Sequence, residues 1–329
     1  MRVERESFRL WRALTLAAVC GLGATCALAQ NFPARPIRLV VPFPAGGPSD
    51  FAGRLVSQRL ADALGQPVIV DNRAGGSGIV GTDQVAKSPP DGYTLVIANV
   101  GLLAIAPSLY AKLPYDPLKE LAPITNLVGG PSFLAVHPSL PVKNVQELIA
   151  LARARAGQLN YASAGIGQIS HLNGELFKFR AQVNIVHIPY KGNATLMPDV
   201  IGGQVPMSFV TIAESMPFVR SGKLRALAVT GLKRSAVIPE VPTVDQSGVP
   251  GFESLNWNGI LAPAGTPREI VARLNAEIVK IVLSPELKQR IEGQGNELIG
   301  DSPEEFAAYI RKETDKWSNV IKQAGIKVE

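Results

Sequence analysis

Cysteine is almost missing from this chain of 329 residues, and both of its cysteines, Cys20 and Cys26, lie in a short leader-like stretch at the start. The rest of the chain therefore has no disulfide, no thiol nucleophile and no thiolate metal site. Histidine is nearly as scarce. His137, His171 and His187 are the whole complement, and they are too widely spaced to suggest a metal centre. No GxSxG elbow, HExxH pair or Walker loop is present, which removes the common sequence signatures of hydrolases, metalloproteases and NTPases. Beyond the leader no apolar run is long enough to span a bilayer.

The leader itself is informative. Arg2, Arg5, Arg9 and Arg12 precede the apolar run Ala13 to Leu22, and Ala27-Leu28-Ala29 forms a small-x-small site before Gln30. This pattern predicts a signal peptide over residues 1–29, cleaved after Ala29, and a periplasmic protein. A chain exported without disulfides must rely on its core. With 46% apolar and 18% charged residues it has the material to do so. Removing the leader takes four of 33 basic and two of 27 acidic residues, which leaves 29 against 25, a net charge of +4. That surplus is scattered, with no basic block and no aromatic-basic interleaving. Nucleic acid is excluded as a partner, and a weak positive field suits small anions.

Strand-like apolar runs alternate with helical patterns. Ile37-Val41, Val68-Asp71, Thr94-Ala98, Phe133-Val136, Asn160-Ser163, Val183-Ile188, Met207-Thr211, Leu224-Thr230 and Asn258-Ala262 read as strands. Most lack strict alternation, as expected of parallel strands buried on both faces. Helix starts are signalled at Asn144, Thr266, Ser284 and Ser302, the last three followed by proline. The pattern predicts an α/β fold with mainly parallel sheets flanked by helices. Gly/Pro-rich breaks at 129–131 and 246–251 divide the chain into a first lobe, residues 30–130 plus 252–329, and an inserted second lobe, residues 131–251, with a ligand cleft between them.

Three glycine turns follow predicted strands. The first, "VPFPAGGPSD", leads from Val41 into a helix with Pro48 at its first position. Free N–H groups at such a start point outward and favour negative charge. Gly46 and Gly47 would let a ligand approach the backbone there, while Asp50 holds the turn. The second turn offers Ser163, Gly165, Gly167, Gln168 and His171. The third, around Tyr190 and Lys191, follows another strand. A tight turn that binds nothing would carry the same residues. Three of them at strand carboxyl ends match the place where α/β sheets bind ligands. Gly76-Ser77-Gly78-Ile79-Val80-Gly81 matches GxGxxG, but no acid ends the next strand to hold a ribose.

"FPARPIRLVVPFPAGGPSD", "VIVDNRAGGSGIVGTDQVAKSPPDGYTL", "LNYASAGIGQISHLNGELFK", "HIPYKG" and "LRALAVTG" together resemble the Bug-type receptors, the extracytoplasmic solute receptors of tripartite tricarboxylate transporters. The resemblance runs from about Phe32 to the C-terminus. It implies a non-catalytic, two-lobed binding protein of the type II periplasmic class, without a cofactor, that closes on a small carboxylate. It also implies that backbone amides and ordered water at Phe43–Asp50 hold one carboxylate, with the other end of the ligand at Ser163–His171 and near Tyr190. Three positions depart from the family pattern. Gly101-Leu102-Leu103 stands for a Gly-Thr-His-like segment after Asn99, Val210-Thr211 replaces an acid-amide pair, and Gln168 replaces a serine. The expected ligand is then a carboxylate without an amino group, in a cleft that also includes Asn99, Gly101 and Thr211. A monomer that docks to a membrane permease or a sensor is expected. An exported hydrolase on the same fold is the alternative, and a regulatory effector domain a third.

Overall fold

The computed structural model describes residues 32–326; the leader and its cleavage site lie outside the described residues. Among the described residues no helix is long and apolar enough to cross a membrane.

Two sheets organise the molecule. The first is built from β1 (Ile37–Val41), β2 (Val68–Asn72), β3 (Thr94–Asn99), β4 (Leu121–Gly130), β10 (Asn256–Pro263) and β11 (Glu297–Leu298), in the order β11-β4-β10-β3-β1-β2. The second holds β5 (Ser132–Val136), β6 (Asn160–Ser163), β7 (Val186–Pro189), β8 (Met207–Thr211) and β9 (Arg225–Val229), in the order β7-β6-β8-β5-β9. Between them run α1 (Pro48–Leu64), α2 (Ile79–Ala86), α3 (Ala106–Leu109), α4 (Val145–Ala154), α5 (Ile169–Ala181), α6 (Asn193–Ile201) and α7 (Ile212–Arg220). After β10 come α8 (Arg268–Val282), α9 (Pro285–Glu292) and α10 (Pro303–Ala324).

The α/β class holds, but the sheets are mixed rather than mainly parallel. β1 pairs in parallel with β2 and β3, whereas β10 runs antiparallel to both β3 and β4. In the second sheet β6 is parallel to β7 and β8, while β5 is antiparallel to β8 and β9. The physical reason is the chain path. β4, β5, β9 and β10 carry the backbone out of one sheet and back into it, without the helical crossover that parallel neighbours need.

Where the chain crosses, one threonine ties both passes together. Thr230, fully buried, accepts the Ser132 N–H at its Oγ1 (2.8 Å) and donates that hydroxyl to the Ser254 carbonyl (2.7 Å). Its own amide and carbonyl pair with Ser132 and Ser254, each at 2.9 Å.

The long C-terminal helix α10 shows how the core is built. Phe306, Ile310, Glu313, Trp317 and Ile321 recur at helical spacing and are buried. Burial of each large apolar side chain contributes about 1.5–3 kcal/mol. Glu313 is tolerated there because the indole Nε1 of Trp317 donates to it at 3.2 Å and Lys316 Nζ lies 3.3 Å away. Two helix starts behave as expected. Asn144 accepts the Glu147 N–H, and Ser302 forms a reciprocal capping box with Glu305. Thr266 does not cap: its hydroxyl donates to the Pro263 carbonyl, and Pro267 occupies the cap position. Ser284 also makes no cap bond.

Candidate functional site

The first glycine turn has the shape its residues suggest. Gly47 is the extended residue before α1, with Pro48 at the first helical position. Asp50 reaches back: its Oδ2 accepts the Gly46 N–H (3.0 Å) and the Arg54 Nε–H (2.9 Å), and its Oδ1 accepts from Asn72 Nδ2 (3.0 Å). Ser49 is fixed by donating its hydroxyl to Asn258 Oδ1 at 2.6 Å. The GxGxxG run supports this turn. A Cβ on Gly78, whose φ is +98°, would lie 2.8 Å from the Phe43 ring. The glycine makes room for the Phe43 side chain.

The second turn leads into α5 and the third into α6. At the second, the glycine amides are already used. Gly165 N–H donates to Ser163 Oγ (3.2 Å) and Gly167 N–H to His171 Nδ1 (3.2 Å). The amides that stay open are those of the helix starts themselves, which have no intrahelical acceptor.

These three helix starts meet at one cavity. α1 contributes Gly47, Pro48 and Ser49; α5 contributes Gln168, Ile169 and Ser170; α6 contributes Gly192, Asn193 and Ala194. Phe43, Phe209, Asn99, Ser132, Thr211 and Asn256 complete much of the wall, and none of the lining residues is charged. Each helix start presents partial positive charge to whatever occupies the space. The cavity measures about 40 Å³, enough for about three or four waters at roughly 10–15 Å³ each. A second, outer cavity of about 420 Å³ adjoins it, sharing Gly47, Pro48, Thr211 and Asn256. Its wall includes Phe51, Met216, Glu214 and Arg220. Glu214 Oε2 accepts from both Asn193 Nδ2 and Thr211 Oγ1, each at 2.7 Å.

Five of the sequence-predicted residues line the inner cavity: Phe43, Gly47, Asn99, Gln168 and Thr211. Gly46 faces the outer one. Gly101 and Gly167 border a separate narrow crevice. Ala45 is exposed at the turn tip. Asp50, Ser163, Gly165 and His171 are buried behind the wall and shape it. Tyr190 donates its hydroxyl to Asp199 Oδ2 (2.6 Å) and acts as a brace.

His171 stacks on His187 with ring centroids 4.1 Å apart. Burial, with Lys178 nearby, lowers His171 to about 4; burial, with His171 next in weight, lowers His187 to about 3. Both imidazoles are neutral at physiological pH. His187 Nε2 lies 2.5 Å from Ser163 Oγ, a contact that resembles a nucleophile and its base. Ser163 has no exposed surface, however, and its oxygen also accepts the Gly165 N–H. No substrate atom can reach it.

Sequence reasoning missed Ser49, Ser132, Ser170, Asn193, Phe209 and Asn256. Asn193 and Ser170 had a signal, since each follows a glycine turn at a helix start. Ser132 and Asn256 had none, because they reach the cavity only through the crossing strands.

Among the described residues no cluster of three metal-ligating side chains occurs.

Known proteins resemble this chain in sequence and in fold. Protein BugT of Bordetella pertussis is 36% identical over 313 residues, covering 95% of this chain and 96% of BugT. Rpa4515 of R. palustris, solved with adipate, superposes with a TM-score of 0.87 at 37% identity, covering 90% of this chain and 99% of that one. MatC of Rhodopseudomonas palustris, solved with bound malate, gives 0.84 at 32%, covering 88% and 100%. Residues 52–326 match the family described as "Tripartite tricarboxylate transporter family receptor". The chain belongs to this family of extracytoplasmic solute-binding receptors.

Proposed function

We propose that this receptor captures a small carboxylate between its two lobes, residues 30–130 with 252–329 and residues 131–251, using uncharged donors alone. The observation that carries this reading is the meeting of three helix starts at one cavity with no charged side chain in its wall. An anion gains about 0.3–1 kcal/mol from each helix dipole, and more when partly buried. The same wall offers no acid to pair with a ligand ammonium, so the carboxylate held in the inner cavity has no amino group. Adipate in Rpa4515 and malate in MatC are carboxylates of this kind. Binding draws the lobes together. The closed monomer, in the periplasm after removal of the leader at Ala29, then presents its ligand to a membrane permease or a sensor.

A thermal-shift panel tests the reading. A true ligand at a hundredfold excess over its dissociation constant adds about 2.7 kcal/mol of stability. Malate, adipate or another carboxylate should raise the melting temperature, and its amide should not. Equal stabilisation by acid and amide, or tight binding of glutamate or aspartate, would refute it.

A further inference from the structure

One side chain joins the two units across the cleft. Gln168, only 4% exposed, stands at the start of α5 in the second unit. Its Oε1 accepts from Asn99 Nδ2 (2.9 Å) and its Nε2 donates to the Ser77 carbonyl (2.7 Å), both in the first unit. Asn99 Oδ1 in turn accepts the Leu102 N–H at 3.2 Å. A backbone N–H begins this chain of bonds and a backbone carbonyl ends it, so both amide orientations are fixed. A further tie lies alongside, where the Tyr110 hydroxyl donates to the Ile166 carbonyl at 3.1 Å.

The same side chain is also a wall. Gln168 lines the inner cavity on one side and, on the other, the crevice formed by Ile79, Leu102, Ala106 and Tyr110. That crevice is too tight to hold a water, and its lining is mostly apolar.

We infer that Gln168 both latches the lobes in their closed form and sets the length of ligand that form accepts. This rests on the carboxylate reading above. Each bond acts only in the closed form, one buried and the other partly buried, so losing both shifts the balance toward the open form by about tenfold. Shortening the side chain also merges the inner cavity with the apolar crevice, which admits a longer carbon chain.

The test compares the wild-type chain with Gln168→Ser in small-angle scattering and calorimetry, with malate, adipate and suberate as probes. The ligand-free wild type should be more compact than ligand-free Gln168→Ser. Ligand-free Gln168→Ser should be expanded and contract on binding, and its affinity for suberate relative to malate should rise about tenfold. An unchanged radius, or an unchanged preference for length, overturns the inference. If Gln168→Ser does not fold, Asn99→Ala removes one of the two latch bonds and leaves Gln168 in the wall; its ligand-free form must then be less compact than the wild type's, and an equal radius overturns the inference. If no carboxylate binds the wild type, the carboxylate reading fails, and scattering alone judges the latch.

Discussion

Asp50 holds Gly46 in place: its carboxylate accepts the glycine's N–H at 3.0 Å while the Arg54 and Asn72 side chains bind the same group. Burial by itself would push this carboxyl upward, but the bonds from Arg54, Gly46 and Asn72 outweigh it and hold the group below its ordinary 3.8. Asp50→Ala leaves an N–H and a side-chain amide without their acceptor. We expect a loss of roughly 1–3 kcal/mol in denaturant unfolding and weaker carboxylate binding in calorimetry, because the turn that aims α1 at the cavity loosens. For an acid whose pKa is lowered on folding, the stabilisation exists above the unfolded value and disappears as pH falls through the folded one. The wild-type advantage over Asp50→Ala should therefore fade below about pH 4.

The stacked histidines give a second pH dependence at higher pH. Both are lowered on folding from 6.5, to about 4 for His171 and about 3 for His187. Between 6.5 and those values the unfolded chain takes up protons that the folded chain refuses, so stability must fall as pH falls. At one pKa unit per 1.36 kcal/mol, the deeply buried His171 alone accounts for a loss of about 3 kcal/mol by pH 4. Lys178 adds to the lowering of both rings, while Glu175 opposes it at His187. His187→Gln keeps a hydrogen-bonding group near Ser163 but cannot titrate. Its unfolding free energy should depend less steeply on pH between 6.5 and 4 than the wild type's, and equal slopes would refute this account.

Gly174 predicts a purely steric effect. A Cβ at this position would sit 2.1 Å from the ring of Tyr161, which is fully buried and donates its hydroxyl to Glu175 at 2.7 Å. The ring cannot retreat without giving up that bond. Gly174→Ala normally favours a helix, by about 1 kcal/mol, yet here overpacking should dominate and cost roughly 1–3 kcal/mol. A thermal melt decides the sign.

The parts of this molecule legible in its sequence are those governed by local chemistry. β1, its glycine turn and the start of α1 follow from an apolar run, two glycines and a proline that suits the first helical position. β4 was not legible: the pair Gly129-Gly130 read as a break, and Pro123 interrupts its run. The strand continues through them: Pro123 pairs with Leu261 where the register against β10 shifts, one of the few places a strand tolerates proline. The cavity was half legible for the same reason. Phe43 and Gln168 sit beside glycine turns, whereas Asn256 enters from β10 and the histidine stack depends on the β6–β7 register, which sets His187 beside Tyr161. Such pairings depend on tertiary structure and leave no local mark.

Glu214 is the acid that Val210-Thr211 seemed to lack, but it is occupied. It stands in the first turn of α7, bordering the outer cavity, with Asn193 and Thr211 both donating to its Oε2. Burial raises its pKa, and the bonds from Thr211 and Asn193 only partly oppose the rise. For an acid raised on folding, stability falls as pH climbs from the unfolded value of 4.5 through the folded one. Glu214→Gln removes that loss and keeps a carbonyl oxygen for both donors, so at neutral pH it should be at least as stable as the wild type and still bind carboxylates. Glu214→Leu instead strands the Asn193 and Thr211 donors beside the ligand cavity. It should cost roughly 1–3 kcal/mol in chemical unfolding and weaken carboxylate binding in calorimetry. If Gln and Leu behaved alike, Glu214 would not be the group that orients Asn193 and Thr211 toward the ligand.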